Sequence, residues 1–240
     1  MAQVINQIKM DTLKKLEAIL EDNRGYVSQW PKSKTAVFIV SGGLDSTITS
    51  ARLIEEQSLE IFPLHIHRGQ TNSIAENLAV DFFTKYFQKH YGKNMFHDPM
   101  KITVNIPPKE FKQDLLPYTK EKGHPVRDQL MHLLGVEYAV AASLKYEKVI
   151  KTVFCAIMPE DYFPHSTLEG LRANTVNVCQ NMKDWDWQIT SPNIDPLLTT
   201  KPFTKIEEIK WAMERKIPVE KTISCNNASK LTNYLACGDC

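Results

Sequence analysis

The feature that most constrains the fold is an apolar run that ends in two glycines and leads directly into a helical pattern. Residues 35–40 are apolar or β-branched, Ser-Gly-Gly-Leu-Asp-Ser occupies 41–46, and helical spacing runs from 47 to 57. The pattern predicts a strand, a tight loop and a helix. Adjacent glycines let the backbone approach a ligand closely, and the N–H groups and dipole of a helix start favour an anion. The stretch therefore predicts a phosphate site.

We expect eight consecutive residues to form this site. Hydroxyl groups within it can donate to phosphate oxygens, and Asp45 or Ser46 is placed to act as the helix N-cap. The predicted binding residues are Val40, Ser41, Gly42, Gly43, Leu44, Asp45, Ser46 and Thr47. The simpler alternative is a tight turn in which Asp45 only caps the helix. The loop is neither a Walker A sequence nor a dinucleotide-binding Gly-x-Gly-x-x-Gly sequence.

Further strand and helix patterns alternate along the chain. Strands are predicted at 61–66, 101–106 and 149–155, an extended apolar stretch at 187–198, and helices at 73–91, 127–146, 167–182 and 204–216. This alternation predicts an α/β fold, a parallel sheet with helices on both faces and a ligand at the carboxyl ends of the strands.

Polar side chains follow two of these predicted strands. Gln70 follows the second strand, and Glu160 and Asp161 follow the fourth. Because the carboxyl ends of parallel strands meet at one edge, these residues are expected to bind the substrate. For Glu160 and Asp161 the alternative is that they only cap the helix that follows.

Basic residues lie in the connection that leads to the helix predicted at 127–146. Residues 107–126 are expected to be a loop with a short helical piece, either an active-site lid or an ordinary solvated loop. Lys122 lies in this connection and Arg127 opens the next helix. Together with Asp45 and Ser46, these two are the predicted catalytic residues, because they could offset charge on a phosphate or a carboxylate.

The balance of charged residues indicates which classes of molecule this protein is expected to bind. The 240 residues include 29 Lys and Arg against 28 Asp and Glu, for a net charge of +1. This balance gives no overall attraction to nucleic acid or to a membrane surface. No apolar run is long enough to span a bilayer and no export signal is visible, so a cytoplasmic protein is expected. Its partner is expected to be a small molecule or another protein.

Cysteines cluster near the end of the sequence. Cys237-x-x-Cys240 has the spacing with which two thiolates chelate a tetrahedral ion, and Cys225 can supply a third ligand. A structural zinc site has four ligands, and a water, a histidine or a further residue is left to complete the shell. A redox pair is the competing interpretation, although such pairs usually open a helix after a core strand. Residues 217–240 are thus predicted to be a zinc-binding segment.

Residues 1–34 precede the first core strand and are predicted to be a helical extension. Leucines at 13, 16 and 20 give the segment an amphipathic pattern, with Asp11 as a possible N-cap. The extension is expected either to pack on the nucleotide-binding domain at 35–216 or to contact a partner protein.

The glycine loop resembles the pyrophosphate loop of the N-type ATP pyrophosphatases, whose pattern is Ser-Gly-Gly-x-Asp-Ser. Within that superfamily, the sequence from about 35 to 240 is similar to the 7-cyano-7-deazaguanine synthase family. The similarity includes Gly69-Gln70, Glu160-Asp161, Thr204-Lys205 with Glu208-Ile209, and Thr222-Ile223-Ser224-Cys225. It implies an adenine nucleotide alpha hydrolase-like fold, ATP, Mg²⁺ and Zn²⁺ as cofactors, and a deazapurine and ammonia as small-molecule partners. The implied reaction is adenylation of 7-carboxy-7-deazaguanine, followed by amide and nitrile formation.

The sequence also departs from that family. Arg68 replaces an aromatic residue, the spacing from Cys225 to Cys237 is longer, the last cysteine of the pattern is absent, and the first 34 residues are extra. These departures resemble the synthase-like proteins of bacterial antiphage operons, in which the activated deazapurine could be joined to a protein. A homodimer is expected. A non-catalytic nucleotide-binding scaffold is the alternative from another class, and a tRNA thiolase is disfavoured by the lack of basic bias.

Overall fold

In this computed structural model, the described part of the chain covers residues 2–111, 124–161, 163, 166–199, 203–225, 228 and 233–235, with side chains described from residue 11 onward. The helices are α1 (Ala2–Arg24), α2 (Leu44–Gln57), α3 (Ser73–Tyr91), α4 (Arg127–Tyr146), α5 (Leu168–Met182) and α6 (Lys205–Glu214). The strands are β1 (Thr35–Ile39), β2 (Glu60–His67), β3 (Met100–Thr103), β4 (Thr152–Phe154) and β5 (Gln188–Thr190). Short 3₁₀ helices occupy Lys109–Phe111 and Val219–Lys221.

The five strands form one parallel sheet in the order β3-β2-β1-β4-β5. The chain therefore builds outward from β1 to β3, returns to the other side of β1, and builds outward again to β5. This reversal is the doubly wound arrangement, in which a crevice forms at the carboxyl ends of the two central strands. The predicted parallel α/β fold with helices on both faces is confirmed.

Two hydrophobic layers cover the sheet. Successive β1 residues point to opposite faces, so Ala36 and Phe38 join one layer and Val37 joins the other. Helices α2, α3 and α6 supply the first layer, and α4 and α5 supply the second. Gly135 in α4 allows that helix to lie close to the sheet, because a Cβ at this position would lie 2.7 Å from Val153 Cγ1.

The N-terminal helix packs against α5 and reaches the core through a buried ion pair. Arg172 donates from Nη1 and Nη2 to both carboxylate oxygens of Asp195, at 2.8 and 2.9 Å, and from Nε to Glu17 of α1 at 3.3 Å. Arg172 and Asp195 are only 1% and 0% exposed. Leu20 of α1 is also fully buried, so part of the extension contributes to the core.

Several predicted boundaries differ from the observed ones. Helix α1 begins at Ala2, which leaves Asp11 inside the helix rather than at its N-cap. Strands β3 and β4 are shorter than predicted, since apolar residues continue past the ends of the sheet. Among the described residues, no helix is long and apolar enough to cross a membrane.

We predict that Asp195→Ala destabilises the protein by about 3–5 kcal/mol, because it leaves the Arg172 guanidinium buried without its main counter-charge. Glu17→Gln is the matched control and should cost less than about 1 kcal/mol, since Glu17 is partly exposed and holds only Nε. Urea denaturation of both variants checks this difference. Equal losses of unfolding free energy in the two variants would show that the Arg172–Asp195 pair stabilises the fold no more than the contact of Arg172 with Glu17.

Candidate active site

A cleft of about 370 Å³ opens at the carboxyl ends of β1 and β4, where the strand order reverses. Ser41 follows β1 and Cys155 and Ala156 follow β4, and all three line it. Ligands of doubly wound sheets bind at this point because the connections on the two sides diverge and leave a crevice. The glycine loop forms one end of the cleft, and the start of α4 forms the other.

The loop collects hydrogen-bonding groups at the start of α2. Ser41 Oγ accepts from the Gly43 N–H at 3.2 Å and lies 3.1 Å from Ser46 Oγ. The first N–H groups of a helix have no partners within the helix, so those of Asp45 and Ser46 are suited to an anion. Gly42 has a φ of +75°, and a Cβ there would lie 2.8 Å from the Ala79 Cβ of α3. The loop can therefore pack against α3 only with glycine at this position.

The structure corrects the N-cap prediction. Helix α2 begins at Leu44 with Gly43 as its N-cap, so Asp45 and Ser46 lie in the first turn. Three of the other predicted phosphate ligands point away from the cleft. Thr47 is 4% exposed and lies behind the loop, while Val40 and Leu44 pack with the first hydrophobic layer. Of the eight predicted phosphate ligands, Ser41, Gly43, Asp45 and Ser46 line the cleft.

Two carboxyl groups and a lysine face each other beside the loop. Lys205 Nζ lies 3.4 Å from Asp45 Oδ2. Glu208 is fully buried, no other group in the described part of the chain donates to its oxygens or to Asp45 Oδ1, and its carboxyl group lies close enough to Asp45 to share a hydrogen bond. Burial, followed by the nearby Asp45, raises the pKa of Glu208 to about 9. Glu208 is therefore protonated at neutral pH, which relieves the repulsion between the two groups.

The far end of the cleft combines cations with groups that suit a flat ring. Arg127 Nε donates to Asp128 Oδ1 at 2.9 Å, and Ser166 Oγ donates to Asp128 Oδ2 at 2.8 Å. Met131, Phe163 and the buried His132 line the same end, as does Arg68 from the carboxyl end of β2.

The other predicted substrate residues have different surroundings. Gln70 lies outside this cleft, and its amide donates to the buried carboxylate of Glu76. Glu160 accepts from the Lys205 N–H at 3.1 Å, so it sits at the start of α6. Asp161 lines the cleft and accepts from the Met158 N–H at 2.9 Å. Neither carboxyl group caps α5, whose N-cap is Thr167. Lys122 lies outside the described residues.

The sequence interpretation did not assign site roles to several cleft residues, and they come from separate parts of the chain. They are Arg68, Asp128, Lys205 and Ser224, which line the cleft, and Glu208, which is buried beside Asp45. Lys205, Glu208 and Ser224 belong to segments that carry the family resemblance, which was the available signal. Ser224 accepts from the Leu44 N–H at 3.2 Å, and the Ile223 N–H donates to the Gly42 carbonyl at 2.9 Å. The segment at 222–225 therefore packs directly on the glycine loop.

Only one of the three predicted zinc ligands lies in the described part of the chain. Cys225 is 5% exposed and packs with Ala75 and Ala228, and its carbonyl accepts from Asn72 Nδ2 at 3.1 Å. Cys237 and Cys240 lie outside it. The described residues contain no group of three His, Cys, Asp or Glu side chains able to hold a metal.

Comparison with known proteins identifies the family. Residues 35–240 match the family described as "Queuosine biosynthesis protein QueC". The chain belongs to the QueC family. The match begins at the first residue of β1 and leaves the N-terminal extension outside it, in agreement with the resemblance drawn from the motifs.

Curated relatives of this QueC-family chain share a name but have low identity to it. The 7-cyano-7-deazaguanine synthase of Sulfurovum sp. (strain NBC37-1) is 24% identical over 210 residues, covering 86% of this chain and 89% of the relative. That of Campylobacter jejuni subsp. doylei is 26% identical over 226 residues, covering 87% and 89%. Among solved structures, the U34-tRNA thiolase NcsA from Methanococcus maripaludis matches with a TM-score of 0.40 and 11% identity, covering 88% of this chain and 66% of that one.

We predict that Gly42→Ala destabilises the protein more than Gly25→Ala, although both glycines have a positive φ of +75° and +77°. Both variants acquire left-handed strain, but only the Gly42 Cβ would also collide with α3, because nothing lies within 4 Å of the Gly25 position. The added cost of overpacking should be about 1–3 kcal/mol by urea denaturation. Equal stabilities would contradict the close approach of the loop to α3.

A second prediction concerns the pH dependence of stability. Because the pKa of Glu208 rises from 4.5 to about 9 on folding, the folded protein keeps a proton that the unfolded chain releases. The stabilising contribution is complete below pH 4.5 and declines as the pH rises toward 9. The Tm of the wild type, measured in chelator-treated buffer, should therefore fall relative to that of Glu208→Gln between about pH 6 and 9, by at least about 4 °C. If the curves of Tm against pH for the two proteins were parallel, the raised pKa of Glu208 would be contradicted.

Proposed function

We propose that this chain catalyses ATP-dependent adenylation of the carboxylate of 7-carboxy-7-deazaguanine, with release of pyrophosphate. The observation that carries the proposal is one cleft with two chemically different ends. A phosphate-type loop lies at one end, and at the other Arg68 and Arg127 lie beside the apolar Met131 and Phe163. Membership of the QueC family and the shared name of its relatives support the substrate class.

The residues at the loop end fit ATP and Mg²⁺. The Ser41 and Ser46 hydroxyls and the first N–H groups of α2 would hold the β- and γ-phosphates. Asp45 would hold Mg²⁺, since its carboxyl group lines the cleft beside the glycine loop and Mg²⁺ prefers oxygen ligands. The bound Mg²⁺ supplies positive charge that offsets the charge of the leaving pyrophosphate. Lys205 lies beside Asp45 and adds a second positive charge at that end.

Adenylation solves a chemical problem posed by the carboxylate. A carboxylate is a poor acyl donor because its leaving group would be oxide. A carboxylate oxygen attacks the α-phosphorus of ATP, the bond from that phosphorus to the pyrophosphate oxygen breaks, and an acyl adenylate forms. Ammonia then attacks the carbonyl carbon and AMP leaves, which gives the amide after loss of a proton. Arg127 offsets negative charge while the two anions approach each other. A second ATP-dependent round would convert the amide to the nitrile.

The proposal also includes a bound zinc ion, ammonia as the acceptor of the activated acyl group, and a possible protein partner. Cys225 would hold Zn²⁺ together with Cys237 and Cys240, and its packing beside Asn72 would place this segment next to the loop. A protein amine is the alternative acceptor of the activated acyl group, with the N-terminal extension as its contact. We keep a homodimer as the expected assembly.

We predict that protein incubated with Mg-ATP and 7-carboxy-7-deazaguanine releases AMP and pyrophosphate. Asp45→Asn should lower kcat by about 100-fold or more, because it removes the charge that faces the metal and the leaving group. Asp81→Asn is the matched control, since Asp81 lies on the surface of α3 and pairs with Lys101. Chromatography of the nucleotides checks the result. ADP as the sole nucleotide product would contradict adenylation, and nucleotide binding without pyrophosphate release would favour the scaffold.

A further inference from the structure

Arg68 is held rigidly at the wall of the cleft. It is the first residue after β2, its N–H donates to Gln70 Oε1 at 2.8 Å, and its carbonyl accepts from the Ile106 N–H at 3.3 Å. Hydrogen bonds therefore fix its backbone on both sides. Its side chain lines the cleft and also an adjoining depression of about 360 Å³ that opens outward past Gln70.

The side chain of Arg68 is partly buried, and its guanidinium differs from those of Arg24 and Arg172 in having no direct partner in the described part of the chain. Within the described part of the chain, it donates no hydrogen bond and forms no ion pair. By contrast, Arg172 holds Asp195 and Glu17, and Arg24 donates to the carbonyls of Trp185 and Trp187. A partly desolvated cation without a direct counter-ion is costly, which is the expected property of a group whose partner is a ligand.

The charges that act on Arg68 come from Glu76 in the first turn of α3 and from Arg127 and Asp128 at the far end of the cleft. Burial lowers the pKa of Arg68, Glu76 and Asp128 oppose this effect, and Arg127 adds to it. Asp45, Asp161 and Lys205 influence one another at the loop end. Because Arg127 already donates to Asp128 at 2.9 Å, Arg68 is the cation at this end that has room for an incoming anion.

A carboxylate fits this cation best. The planar guanidinium presents paired donors that match two carboxylate oxygens, with shorter and stronger bonds than neutral pairs form. Such binding would also reduce the repulsion between the substrate carboxylate and the triphosphate, which must approach each other for adenylation. A neutral carboxamide at the same place would gain much less binding free energy from the guanidinium.

Resting on the proposed function, we propose that Arg68 is a specificity-determining residue that binds the carboxylate of the acyl substrate, so that the cleft prefers an anionic ring substrate to its neutral amide. Arg68 thereby acts on substrate choice, whereas the loop residues act on ATP. The alternative ligand of the same chemistry is the α-phosphate of ATP, and the experiment separates the two.

The experiment compares wild type, Arg68→Gln and Arg68→Lys with the carboxylate substrate and with its amide, following pyrophosphate release. Arg68→Gln should raise KM for the carboxylate about 10- to 100-fold, the loss expected for a charged hydrogen-bonded pair. It should leave KM for the amide and for ATP unchanged within about twofold, and Arg68→Lys should recover part of the loss. Arg215→Gln is the matched control, because Arg215 is an exposed arginine paired with Glu55.

Two outcomes would overturn the assignment. Equal losses with carboxylate and amide would make Arg68 a structural residue, and a raised KM for ATP would make it a phosphate ligand. If the wild type releases no pyrophosphate, the proposed function fails, and calorimetric binding of the two ring compounds without ATP then decides the role of Arg68. Carboxylate binding that Arg68→Gln weakens at least tenfold supports the assignment, and carboxylate binding that is absent or unaffected overturns it.

Discussion

The site depends on how closely the backbone of Gly42 approaches α3. A Cβ at Gly42 would lie 2.8 Å from Ala79 Cβ and 2.9 Å from the Glu76 carbonyl, so no larger residue fits without movement. This contact fixes where the chain turns between β1 and α2. The position of this turn also fixes the direction of the first N–H groups of α2, which are the groups available to an anion. The contact between Gly42 and α3 thus sets the geometry of the glycine loop.

The segment at 222–225 holds the same loop from the other side. The Ile223 N–H donates to Gly42, Ser224 Oγ accepts from Leu44, and Asn72 at the start of α3 donates to the Cys225 carbonyl. The loop, α3 and this segment are therefore joined by hydrogen bonds through backbone atoms. A metal bound at Cys225 would act on the loop through this short path, which connects the predicted zinc segment to the loop end of the cleft.

Sequence patterns predicted the sheet better than the cleft, for physical reasons. Apolar periodicity reports burial, so the order of strands and helices and the place of the glycine loop were predictable. The start of α2 was misplaced because Leu44 is apolar and Gly43 caps without a side chain. Local pattern alone could not place Arg68 in the cleft or Glu208 beside Asp45, because their environment is created by segments far away in the chain. Asp45 and Lys205, for example, meet only when α6 packs beside α2.

The distribution of charge explains why one cleft could serve a reaction between two anions. At the loop end, Glu208 is protonated at neutral pH through its burial and the nearby Asp45, so the acidic pair carries less negative charge than its composition suggests. Lys205 lies on the open side of that pair. At the far end, Asp128 offsets Arg127 but leaves Arg68 without a direct counter-ion in the described part of the chain. Each end therefore retains a cation directed at the space between them. Under the proposed function, a triphosphate and a carboxylate would occupy that space together, because each would meet its own positive group before it meets the other anion.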